Sequence, residues 1–164
     1  MVALNSKFDI LRGWPNSSAV QEDFVIGGVN FNKHRQGEWV SLQDKNDGSM
    51  VTDDAAVSSA ADKSCYIIIE GLDDHSSKFA NRVTCLLGGG YMVRIPETAP
   101  DAYAGGSSYR CFAAGVTAAN FVVGQYAAVV GSVLSPLATR AAGDAVGQII
   151  ARDVNNGTVD LLVF

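Results

Sequence analysis

Between Arg110 and Arg140 the chain runs for 29 residues without a charged side chain, and this run limits the folds open to it most strongly. A stretch of that length can span a bilayer as a helix, so a membrane segment has to be weighed first. The run, however, contains Thr117, Asn120, Gln125, Ser132, Ser135 and Pro136, together with Gly115, Gly124 and Gly131. Buried amides without partners cost about 1–3 kcal/mol each, and the Lys/Arg flanks that orient a membrane helix are sparse. The run is therefore read as a buried pair of strands, and no membrane partner is expected.

Charge is crowded into the rest of the chain. Of 12 Lys/Arg and 17 Asp/Glu, only Arg140, Asp144, Arg152, Asp153 and Asp160 follow residue 110, and the net charge is -5. With 164 residues, 48% of them apolar, the chain suits one packed domain or one domain plus an arm. Its small residues (21 Ala, 19 Val, 17 Gly) and acidic balance exclude a collagen, a coiled coil and a polybasic nucleic-acid binder.

Met1 to Trp14 carries Lys7, Asp9 and Arg12 and lacks the apolar core of a secretory signal. Cys65, Cys85 and Cys111 are odd in number, with no C-x-x-C pairing, so buried thiols in a reducing compartment are expected. In that compartment Asn16-Ser17-Ser18 and Asn156-Gly157-Thr158 are chance matches to the glycosylation sequon.

Along the chain, residues 1–36 read as an extended N-terminal arm and residues 37–164 as a β domain. The arm holds an apolar knot of Phe8, Ile10, Leu11 and Trp14 before the turn Pro15-Asn16-Ser17-Ser18, and a short strand at 24–29. Gly37 to Gln43 alternates polar and apolar residues, which predicts a half-buried strand with Trp39 in the core. Cys65 to Glu70 is a β-branched strand ended by Gly71. Asn81–Leu87 and Tyr91–Ile95 are two more, joined by Gly88-Gly89-Gly90. Strands are also predicted over 109–116, 121–134 and 146–154, the last meeting Thr158 to Phe164 across Asn155-Asn156-Gly157. Three V-G-x openings, at Val123, Val130 and Val146, read as strands entering past a glycine. The fold class is mainly β, a small barrel or sandwich, with at most one or two short helices, at 53–62 or 138–145.

Motifs that carry chemistry fail one after another. Gly88-Gly89-Gly90 is followed by neither Gly-Lys-Ser/Thr nor a helix start, so it does not cradle phosphate. Asp44-Lys45-Asn46-Asp47-Gly48 opens like a calcium loop but places Ser49 and Ala55 where glycine and glutamate are required. Asp73, Asp74, His75, Ser76 and Ser77 hold the letters of a catalytic triad, yet sequence neighbours in one loop cannot line up in hydrogen-bond series. His34, between Lys33 and Arg35, reads as a solvated basic spot too small to grip nucleic acid. The expectation is a non-enzyme, with no catalytic, cofactor-binding or metal-binding residue assigned.

Three stretches carry a resemblance. The strand Gly37-Glu38-Trp39-Val40-Ser41-Leu42, the turn from Thr139 into Gly143-Asp144-Ala145-Val146-Gly147, and the closing hairpin through Gly157-Thr158-Val159-Asp160-Leu161-Leu162-Val163 to Phe164 resemble, in order and glycine placement, capsid decoration (cement) proteins of tailed bacteriophages. The likeness spans the C-terminal third plus one strand, and the first 36 residues depart from it. It implies a β-tulip-like domain and a virion structural protein, assembled in the host cytoplasm, that binds the outer face of the head and stabilises it. Its partners would be the major capsid protein and further copies of itself as a dimer or trimer, with no nucleic acid and no membrane. Phe8, Ile10, Leu11 and Trp14 would then form the interface, since aromatic anchors carry binding energy; the alternative is that they pack on their own domain. Two other functions remain open: another phage β-protein (tail tube, head–tail joining or minor capsid subunit), and a ligand-binding or enzymatic barrel without a recognisable motif.

Overall fold

A computed structural model describes residues 9–12, 21–25, 37–42, 51–52, 65–70, 82–86, 90–100, 108–140 and 145–164. They form thirteen strands: β1 (Asp9–Arg12), β2 (Gln21–Val25), β3 (Trp39–Leu42), β4 (Val51–Thr52), β5 (Cys65–Glu70), β6 (Arg82–Leu86), β7 (Met92–Pro96), β8 (Thr98–Pro100), β9 (Ser108–Arg110), β10 (Tyr126–Val130), β11 (Val133–Leu137), β12 (Ala145–Asp153) and β13 (Thr158–Val163). A six-stranded sheet has the order β1-β7-β13-β12-β10-β11, a five-stranded sheet the order β2-β6-β5-β3-β4, and β8 pairs with β9. Every pairing in them is antiparallel.

The period-two pattern explains which faces are hidden. In β7, Val93 and Ile95 are buried while Met92 and Arg94 are half-buried. In β13, Val159, Leu161 and Val163 point the same way, opposite to Leu162. Asp160, also on the outer side, faces Arg94 across the β7–β13 ladder. Its carboxylate accepts both Nε (2.7 Å) and Nη2 (2.8 Å) of the guanidinium, a two-pronged cross-strand pair.

Both sheets feed one core. Trp39, Ile67 and Leu86 from the five-stranded sheet join Tyr91, Val93, Ile95, Phe112, Phe121, Val129, Leu134, Ile149 and Leu161 in a single buried cluster. Burying each large side chain fully contributes about 1.5–3 kcal/mol, so this shared cluster is what holds the sandwich together. Trp39 is fully buried, as its alternating strand predicts. Its Nε1 donor has no hydrogen-bond partner, a loss of about 1–3 kcal/mol that the surrounding packing offsets. Cys85 and Cys111 are buried thiols; the side chain of Cys65 lies outside the described residues.

Of the expected barrel or sandwich, the fold is sandwich-like: among the described residues no ladder joins β1 to β11, the outer strands of the larger sheet. A thin bridge does cross from β11 towards the β7–β8 bend. Cys111 donates its N–H to Glu97 O (3.0 Å), Leu134 donates to Cys111 O (2.8 Å) and Ala113 donates to Leu134 O (2.9 Å). These three bonds replace the ladder that full closure would need. Curvature comes from β12, whose register slips against β10 beside Val146 and against β13 beside Ile150. Each slip inserts one extra residue and bends the strand.

Several expectations change. The expected arm supplies strands: β1 pairs with β7 and β2 pairs with β6. A boundary at residue 36 would divide β2 from β3, which belong to the same sheet. Residues 111–116, expected as strand, hold only the bridge at Phe112 and then turn, Val116 donating its N–H to Ala113 O at 2.9 Å. The expected strand 121–134 is interrupted. Positive φ at Gly124 (87°), Gly131 (56°) and Ser132 (68°) turns the chain, leaving a hairpin of β10 and β11. The expected helix at 53–62 lies outside the described residues. Of 138–145, residues 138–140 are irregular and Ala145 opens β12.

The three V-G-x glycines serve two different needs. Gly124 and Gly131 supply positive φ. Gly147 supplies space: a Cβ there would sit 2.5 Å from Leu162 O and 2.8 Å from Leu161 Cγ.

Candidate interaction surface

The charge-free run is the part of the chain that builds an unusual surface. From Cys111 to Gln125 it has almost no ladder partner, so its carbonyls need other donors. Turn and bridge N–H groups supply most of them, and two arginines, Arg110 at its border and Arg152 on β12, supply others. Arg110 donates Nη2 to Val116 O (2.5 Å) and Ala113 O (3.5 Å), while its Nη1 reaches Glu97 Oε1 at 3.4 Å. Arg152, on β12, donates Nη1 to Ala119 O (2.7 Å) and to Phe121 O.

Between these anchors lies a single 3-10 turn, Ala118–Asn120. Asn120 Oδ1 accepts the N–H of Thr117 at 2.8 Å and its hydroxyl at 3.1 Å, closing the turn's open end. Phe112 and Phe121 are both buried, with ring centroids 4.8 Å apart at 56°, so they fasten the segment from below. Gln148 Nε2 donates to Gly124 O at 3.0 Å, and Ile149 N donates to Gln125 O at 2.8 Å, tying its far end to β12.

Held at both ends and underneath, the segment turns valines outward. Val122 and Val123 are 45% and 54% exposed, and Val130, at the β10–β11 turn, is 58% exposed. Ile150 and Val154, on and just beyond β12, are exposed as well. Scattered apolar residues at a surface are ordinary. Adjacent β-branched residues on a pinned, charge-free turn lose little side-chain entropy when covered, which suits a contact surface. A separate cluster sits by Phe164: its ring lies 6.2 Å from that of Tyr126 and 4.2 Å below the Arg140 guanidinium carbon.

Of the residues expected to form an interface, two fall among the described strands. Ile10 and Leu11 lie in β1, an edge strand of the six-stranded sheet. Ile10 pairs with Val93, and Leu11 is the extra residue at a register slip. Phe8 and Trp14 lie outside the described residues. Sequence reasoning offers the charge-free run as a subunit-to-subunit face without choosing Val122, Val123 or Val130 within it, and does not single out Ile150 or Val154. The signal for the first three is the charge-free run itself; for Ile150, only the bulge, invisible in sequence, decides its orientation.

Among the described residues, no group of three or more His, Cys, Asp or Glu side chains converges to hold a metal ion. No helix among them is long and apolar enough to cross a membrane. Gly90, last of the triple glycine, has φ 86° and leads into β7, where a phosphate cradle would need a helix start. Both histidines and the Asp44–Gly48 turn lie outside the described residues. Comparison of the chain with protein-family models, with curated proteins and with solved structures finds no match.

Proposed function

We propose that this chain is a non-enzymatic virion structural protein that binds the outer surface of a phage capsid and stabilises the head. Its partners in this reading are the major capsid protein and copies of itself, as a dimer or trimer, within a virion assembled in the host cytoplasm. The observation that carries the reading is the pinned charge-free segment, with Val122 and Val123 turned outward between the Arg110 and Arg152 anchors. The strand and glycine order that resembles decoration proteins supplies the choice of partner. Many copies, each adding a modest apolar contact, stabilise a shell through multivalency. Ile10 and Leu11 on the edge strand β1, with Phe8 and Trp14 flanking them in sequence, provide a second contact in this reading.

The test is to mix the purified chain with undecorated heads. Saturable binding at a fixed ratio per capsomer, with a raised head melting temperature, supports the reading. Absence of binding contradicts it.

A further inference from the structure

The β12–β13 hairpin turns through Val154-Asn155-Asn156-Gly157, between the paired Asp153 and Thr158. The Asp153 carboxylate organises this turn. Oδ1 accepts the backbone N–H groups of Asn155 and Asn156, each at 3.0 Å. Oδ2 accepts the Asn156 carboxamide N–H at 2.6 Å. Gly157 follows with φ 63°, and both Asn156 and Gly157 are half-buried, open to water. An asparagine before glycine has the least hindered path from its side-chain carbonyl carbon to the next backbone nitrogen, because glycine lacks Cβ.

We propose that Asn156-Gly157 is a site of spontaneous deamidation whose rate is set by Asp153, which holds the carboxamide back from ring closure. In the first step the Gly157 amide nitrogen loses its proton to hydroxide and bonds to Asn156 Cγ. The Cγ–Nδ2 bond breaks, and the nitrogen leaves as ammonia with protons taken from water. Water then opens the five-membered imide at either carbonyl, leaving aspartate or isoaspartate. The sum is one water consumed and one ammonia released, with no change of oxidation state.

Two features oppose the first bond. The carboxamide is tied to the Asp153 carboxylate, and turning Cγ onto the Gly157 nitrogen has to break that bond. The Asp153 charge beside the turn also disfavours loss of the amide proton. Asn156 holds Asp153 below the ordinary aspartate range, through its side chain first and its backbone N–H second. The carboxylate therefore stays charged wherever ring closure is fast.

The product would disturb a defined contact. Glu97 donates its N–H to Gly157 O at 2.7 Å. A Cβ added at Gly157 would lie 3.7 Å from Glu97 Oε2. A new carboxylate at residue 156 adds like charge near Glu97 and Asp153, and isoaspartate lengthens the backbone by one methylene next to that carbonyl.

The experiment ages the full chain at mildly alkaline pH and follows the peptide spanning residues 153–157 by mass spectrometry and isoaspartate-specific methyl transfer. Asp153→Ala, folded by circular dichroism, is expected to convert Asn156 about fivefold faster than wild type, the factor matching one net hydrogen bond. Should that variant not fold, wild type held in urea is compared with native wild type, and the native chain is expected to convert more slowly. Equal rates in either comparison, or no conversion of Asn156 in any sample, overturn the proposal.

Discussion

Arg152 on β12 donates through Nη1 to the carbonyl oxygens of Ala119 and Phe121, more than thirty positions earlier in the chain. This contact ties the irregular half of the charge-free run to the longest strand of the sheet. Replacing Arg152 with Met removes both donors and keeps much of the stem. Unfolding in urea should show a loss of about 1–2 kcal/mol, since hydrogen bonds to a charged group are worth more than neutral ones but this one is partly solvated. Amide exchange should quicken over 117–125 more than over β13. Uniform quickening, or an unchanged midpoint, would show that the arginine does not pin the segment.

Glycines 124 and 147 separate two reasons for the same residue. Gly147→Ala forces a methyl into Leu162 O and the Leu161 side chain, and overpacking of this kind costs about 1–3 kcal/mol. At Gly124 a methyl would meet nothing within 4 Å, and only the φ of 87° resists it; left-handed backbone costs a side chain about 1–2 kcal/mol. D-alanine, whose preferred φ is positive, should therefore be tolerated better than L-alanine at 124 when introduced there by chemical synthesis. Equal thermal midpoints for the L-alanine and D-alanine proteins at 124, or an unchanged midpoint for Gly147→Ala, would contradict this division.

The Asp153 turn predicts a pH response. Hydrogen bonds from the Asn156 side chain, then from the Asn156 and Asn155 backbone N–H groups, lower the Asp153 pKa below its ordinary 3.8. A carboxylate with a depressed folded pKa adds stability that is present above its unfolded pKa and disappears as pH falls through the folded value. Neutral pH therefore leaves the turn intact, and loosening begins only below the ordinary aspartate range. A carboxyl-carbon NMR titration should place the Asp153 midpoint under 3.8; a midpoint at or above that value contradicts the hydrogen-bond network.

Because β1 is hydrogen-bonded to β7, deleting residues 1–20 is predicted to do more than weaken docking. The β7 edge would be left open, and an open edge invites pairing with other chains. The truncated protein should melt earlier and scatter more light on heating. An unchanged melting curve and a single species would show that the first strand is dispensable to the fold.

Strand identity is legible in the sequence wherever side-chain alternation or β-branching acts locally. Cys65–Glu70 and the β12–β13 hairpin stand where their residues place them. The charge-free run is legible as strand in its second half, though not its division into β10 and β11, and its first half is not legible. There Arg110 and Arg152 take up part of the backbone's hydrogen bonding, and no local pattern announces a distant guanidinium. Pairing partners are equally hidden: whether Ile10 and Leu11 belong to an arm or an edge strand depends on β7, some eighty residues later. The exposed valines are foreshadowed by missing charge, while the bulge that turns out Ile150 follows from register alone.

The account rests on the pinned valine surface as a docking face, and binding to undecorated heads measures that directly. Wild-type chain should bind saturably at a fixed ratio per capsomer and raise the melting temperature of the heads. A double variant, Val122→Asp with Val123→Asp, should keep the wild-type unfolding curve, because both side chains already face water, and should lose binding. Failure of wild type to bind, or equal binding by the double variant, would contradict the account.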